Sequence, residues 1–242
     1  MKYLAIGSSP KTIKSDKEGE YLTAIMYLSP ADIAYKALNM KGTLCAMADT
    51  AGCKLGCLNT SGRGAMNSIQ QARLRKTIAF IKDPVSFVDQ LKDDIAKGIK
   101  KADKAGVKLA VRLNGTSDIP WENMKGSNGR TLMEEYHSIQ FYDYTKLPNR
   151  KVPSNYHLTV SYSGANDAYA TKALKTNHNI AVVFRDKELP ATFKGRKVID
   201  GDKTDLRFLD PKKVVVGLYA KGKARKDNSG FVIDNNISAV NI

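Results

Sequence analysis

Cys45, Cys53 and Cys57 are the only cysteines, and they fall within thirteen residues as C-x7-C-x3-C. An odd number so tightly clustered does not read as a disulfide framework. Thiolates are soft ligands. Three on one loop, with Gly52 and Gly56 each preceding a cysteine, suit a zinc ion or an iron–sulfur cluster with one position left open for chemistry. The competing reading is burial as small apolar residues. His137, His157 and His178 are each available as a fourth ligand, and no spacing singles one out.

A second concentration runs from Arg112 to Glu122. Asp118 has the chemistry of a base or nucleophile, Asn114 and Ser117 of substrate-orienting groups, and Trp121, the sole tryptophan, of a stacking platform. Equally, Asp118 caps a turn before Pro120 and Trp121 fills the core. The stretch Leu58–Gly64 feeds a basic helix carrying Arg73, Arg75 and Lys76. Free N–H groups at such a turn bind anions, with Asn59 and Arg63 as cofactor-contact candidates. No Gly-Lys-Ser/Thr follows, so it is not a P-loop. Three carboxylates between Asp200 and Asp205 lack the terminal Glu of a calcium loop. Asp200 is retained as a ribose or substrate contact. Lys221, Lys223, Arg225 and Lys226 form a basic run suited to a phosphate backbone, or simply a solvated surface.

These residues need a scaffold. Tyr21–Leu28 reads as a first strand, and Ser29–Gly64, which holds the cysteines, as an inserted loop long enough to be functional. A helix is predicted over about Ala65–Ile81 and another from Pro84, with Phe87, Leu91, Ile95 and Ile99 along one face and a stop at Gly106. Strands are predicted at Val107–Leu113, Ile139–Tyr144, Tyr156–Ser161, Ile180–Phe184, Lys197–Asp200 and Val214–Tyr219. Short helices are placed at Leu132–Tyr136 and Asn166–Thr176. Alternation of strand and helix predicts one α/β domain over residues 1–242 with a mostly parallel sheet, a complete or partial (β/α) TIM-like barrel. Polar clusters follow several strand ends: Asn114–Asp118, Asp143–Lys146, Ser161–Asp167, Arg185–Asp186 and Asp200–Asp205. In parallel α/β folds that side carries the active site.

The chain has 242 residues, 42% of them hydrophobic, and a formal charge of +15. That excess attracts polyanions and makes nucleic acid the expected partner. No apolar run approaches the roughly 20 residues that span a bilayer, so no membrane partner is expected. The amino-terminal segment lacks a secretory pattern, which predicts a cytoplasmic location.

On Tyr21-Leu22-Thr23-Ala24, Gly52-Cys53-x3-Cys57-Leu58-Asn59-Thr60-x-Gly62-Arg63-Gly64, Arg112–Asp118 and Val198–Asp202, the chain resembles a family of phage-encoded three-cysteine proteins. More distantly it is similar to radical S-adenosylmethionine enzymes. That resemblance implies an iron–sulfur cluster on Cys45, Cys53 and Cys57, with S-adenosylmethionine at its open iron. The usual spacing there is C-x3-C-x2-C. The leading expectation is therefore a phage enzyme acting on nucleic acid or nucleotide precursors, in the cytoplasm of the infected cell. One alternative, by analogy, is a zinc-containing transglycosylase that inserts 7-deazaguanine bases into DNA, with Asp118 or Asp167 as nucleophile. Another is a non-catalytic nucleic-acid-binding or host-takeover protein with structural cysteines.

Overall fold

A computed structural model of the chain describes residues 2–7 and 19–235. Its strands are β1 (Leu4–Ile6), β2 (Tyr21–Met26), β3 (Lys108–Arg112), β4 (Gln140–Thr145), β5 (Tyr156–Ser161), β6 (Ile180–Phe184), β7 (Thr192–Phe193), β8 (Arg196–Asp200), β9 (Val215–Tyr219) and β10 (Val232–Ile233). They form one sheet in the order β1-β2-β3-β4-β5-β6-β9-β8-β7, with β10 added against β6. The helices are α1 (Ile33–Ala37), α2 (Asn67–Lys82), α3 (Pro84–Lys104), α4 (Leu132–Glu135) and α5 (Asp167–Leu174).

The predicted barrel is not there. The sheet is mixed and open: β1 runs antiparallel to β2 at one edge, β7 antiparallel to β8 at the other, and the two edges do not pair. A barrel must close its first strand on its last. Nor does a helix follow each strand. Only a 3-10 turn at Trp121–Asn123 and the one-turn helix α4 separate β3 from β4, so regular alternation of strands overstated the helical crossovers. Three short strands, β1, β7 and β10, were not anticipated.

α3 starts as its sequence dictates. Pro84 occupies the first turn, and the Asp83 carboxylate accepts the Ser86 N–H at 3.0 Å. Its Phe87, Leu91 and Ile95 face is buried against Leu4, Leu109 and Val111 of the sheet. Asp94, also buried, accepts the N–H groups of Tyr3 (2.6 Å) and Leu4 (3.2 Å), tying edge strand β1 to the helix. The opposite face of β3 and β4 is covered by a strap after β8, where Leu206 packs on Ala110 and Tyr142.

Around the strand ends the sheet splays. β5 pairs with β6 only at Val160↔Ile180 and Ser161↔Ala181. Farther along, Val183 and Phe184 take Val232 and Ile233 of β10 instead. An opening therefore forms beyond the carboxyl ends of the parallel strands, where crevices in such sheets bind ligands.

Candidate functional site

The opening is a cavity of about 210 Å³. All three cysteines line it, together with the last residues of β3, β4, β5 and β9 and the turns that follow β3 and β8. The cysteine segment winds through consecutive turns, with Ala48 N–H bonded to the Cys45 carbonyl and Cys53 N–H to the Ala48 carbonyl. Gly52 has a φ of +63°, and a Cβ there would lie 2.5 Å from Ser229 Oγ, so the turn requires glycine. The Cys45 thiol accepts the Ala31 N–H at 3.4 Å. Burial pushes it up to about 12, and the charges of Asp118, Cys57 and Cys53 push the same way. Cys53 and Cys57 are also raised, first by burial; nearby Lys146 and Arg73 respectively pull them down. Burial thus holds all three thiols toward their protonated forms, against the pull of Lys146 and Arg73.

The turn after β3 is organised by Asn114. Its Oδ1 accepts from Ser117 Oγ (2.9 Å), Ile119 N–H (3.0 Å) and Trp121 Nε1 (3.1 Å), and its Nδ2 donates to the Ile119 carbonyl (2.9 Å). Gly115 then passes so close to β2 that a Cβ would sit 2.4 Å from the Met26 carbonyl oxygen. Asp118 accepts Thr145 Oγ1 at 2.8 Å and Lys146 N–H at 2.7 Å, with Arg150 at 3.5 Å. Burial raises its pKa against those contacts. Asn114, Ser117 and Asp118 line the cavity, but their polar groups are engaged in fastening one loop to the next.

Lys146, which the sequence offers only as the end of the Asp143–Lys146 cluster, lies in the cavity wall. Its Nζ donates to the Ser161 carbonyl (3.0 Å), Ser161 Oγ (2.8 Å) and the Tyr162 carbonyl (3.4 Å), and sits 4.7 Å from the Phe231 ring centre. It stabilises the end of β5 where the strand leaves β6. Burial brings Lys146 down to about 8. Arg112, likewise unassigned from sequence, also lines the cavity, held bidentately by Asp205 at 2.8 and 3.1 Å over the Tyr144 ring. Asp202 and Lys221 form an ion pair at the far wall.

Other predicted site residues fall elsewhere. Trp121 is fully buried between Phe80 and Phe87 and offers no face to a base. Arg73 is buried, bonded to Asn59 and placed over the Tyr27 ring, so it is not a phosphate contact. Asn59 spends its side chain on Gln70 and Arg73. Lys76 donates to the Tyr3 carbonyl at 3.2 Å. Asp167, Arg63, Arg75 and Asp200 are exposed and do not line the cavity; Asp167 opens α5, and Asp200 accepts the Asp202 N–H in its own turn. Lys223 and Arg225 are exposed beside the cavity, on the turn that contributes Ala224 to its wall. None of the three histidines lines it. Burial lowers His157 to about 4 and lowers His178 as well.

Asp143, beneath the cavity, gives a pH test of this framework. Fully buried, it accepts the Asn114 N–H and the Tyr156 hydroxyl, each at 2.8 Å. Burial pushes it up to about 7 despite the Arg112 charge nearby. The folded state then keeps a proton that the unfolded chain releases near pH 4. The associated stability is full below that pH and is lost as pH rises through 7. Relative to Asp143→Asn, the native protein should lose about 2–3 kcal/mol between pH 5 and pH 7. Urea midpoints of both proteins at the two pH values measure it; parallel behaviour would refute the assignment.

Among the described residues, no helix is long and apolar enough to cross a membrane. No group of three or more His, Cys, Asp or Glu side chains there is arranged to hold a metal ion. No curated protein and no solved structure matches the chain. A family model does match, over residues 4–235. The chain belongs to the phage-type family described as Gene product 88.

Proposed function

We propose that this protein is an enzyme whose Cys45, Cys53 and Cys57 hold an iron–sulfur cluster, and that it acts on a nucleic-acid component in the adjoining cavity with S-adenosylmethionine as co-substrate. The observation that carries the reading is the placement of three half-buried thiols around one cavity at the strand ends. A structural zinc takes four ligands and would need a fourth beside the three thiols. A cluster takes each thiolate on a different iron. With no histidine in the cavity wall, the donor set is three sulfurs. When bound, a cluster of this kind supplies one electron to a co-substrate at its open iron.

The chain's own residues supply the rest. The Asn114 network fixes the floor, and Lys146 places a positive charge beside the thiols without a direct carboxylate partner. Arg112 and Lys221, each paired with an aspartate, line the remaining wall. Asp118 and Asp167 do not favour the transglycosylase alternative, one being locked between loops and the other lying outside the cavity.

Anaerobic purification followed by iron and sulfide analysis tests the reading. About four of each per chain are expected, with loss of both in the Cys45→Ser, Cys53→Ser, Cys57→Ser triple variant. One zinc per chain and no iron, or metal-free protein after reconstitution, would overturn it.

A further inference from the structure

Two surface turns meet at the mouth of the cavity. One, Gly62–Ala65, carries exposed Arg63; the other, Gly222–Lys226, carries exposed Lys223, Arg225 and Lys226. They touch where Gly222, at φ +55°, passes Ser61; a Cβ there would lie 2.4 Å from Ser61 Oγ. Their flanking residues Cys57, Leu58, Lys221 and Ala224 line the cavity. Neither turn contains an acidic residue. None of the four cations is ion-paired with a described residue, in contrast to neighbouring Lys221. Asp227, next along the chain, is buried and turned inward to the Val232 N–H at 3.0 Å.

We infer that these turns form a basic lip that holds the backbone of a single-stranded polynucleotide, so that the unit entering the cavity belongs to a chain rather than to a free nucleotide. Four cations without a described carboxylate partner, of which Arg225 also donates to the Ala220 carbonyl at 3.4 Å, suit successive phosphates, which neutralise charge and release counterions on binding. The cavity behind them, about 210 Å³, has Tyr219 and Phe231 in its wall. A base paired inside a duplex cannot reach such a recess unless it leaves the stack. The inference rests on the reading that this cavity is where a nucleic-acid component is processed. It names the form in which that component arrives.

Fluorescence anisotropy tests it with a labelled 12-nucleotide strand as DNA and as RNA, the matching duplex, and a competing mononucleotide. The native protein is expected to bind one or both single strands at least tenfold more tightly than the duplex. In the Lys223→Gln, Arg225→Gln variant, affinity for the strand should fall by more than tenfold. The dependence of log K on log salt should flatten by about 1.4, some 0.7 for each phosphate contact removed. The Lys100→Gln, Lys104→Gln variant, altered on the exposed carboxyl-terminal end of α3, supplies the control. An equal loss in that control, preference for duplex, full competition by the mononucleotide, or binding of an acidic peptide in place of any strand would overturn the inference. Iron is measured on the same preparations. Iron-free protein that still shows lip-dependent strand binding rejects the cluster and retains the lip, whereas iron-loaded protein indifferent to strands does the reverse.

Discussion

Asp205→Asn is expected to cost about 3–5 kcal/mol of folding stability, the usual penalty for removing one partner of a buried ion pair. Arg112 is 5% exposed and holds Asp205, also 5% exposed, through two bonds from one guanidinium nitrogen. Asparagine keeps the shape and removes the charge, leaving a desolvated guanidinium whose nearest other carboxylate, Asp143, is 3.9 Å away. The pair also joins β3 to the strap that covers the opposite face of the sheet. Urea unfolding at pH 7 gives the value directly. A loss below about 1 kcal/mol would mean that solvent or Asp143 compensates Arg112 and that the strap is not anchored there. An Arg112→Leu, Asp205→Leu double variant should recover much of the loss, because it removes both desolvated charges together.

Trp121→Ala should be comparably damaging, at about 3–5 kcal/mol. The ring is fully buried with Phe80 and Phe87, and its Nε1 donates to Asn114, the residue that orders the floor of the cavity. Truncation opens a void and loosens that network together. Trp121→Phe should cost less, and it should leave oligonucleotide affinity unchanged, because the indole presents no face to a ligand. Thermal denaturation and strand binding of the two variants separate a core role from a stacking one. Weaker strand binding by a fully folded Trp121→Phe protein would return the tryptophan to the ligand site.

The long amphipathic helix was legible because its signals are local: a proline in the first turn, apolar residues on one face and a glycine stop. The cysteine cluster was legible as a spacing, and the strand-end clusters as composition. Closure of the sheet was not, since it depends on whether β1 and β7 meet, and no short-range pattern encodes that contact. The engagement of Asn114 was not legible for a related reason, while the core reading of Trp121 holds. A polar group at a strand end is free for substrate only if the protein has not already used it, and here Ile119, Ser117 and Trp121 use Asn114. Lys146 was overlooked because its significance comes from the Ser161 and Tyr162 carbonyls, fifteen and sixteen residues away at the end of β5.

The cysteine loop is fastened by parts of the chain made long after it. Ala51 accepts a bond from Ser163, 112 residues on, and Gly52 from Ser229, 177 residues on. Cys53 packs against Phe231 and Val232. Contacts of such long range form late, because the entropy of closing the intervening loop opposes them. The native arrangement of the three thiols therefore forms only once β10 docks beside β6, and loading of any metal into that arrangement follows it.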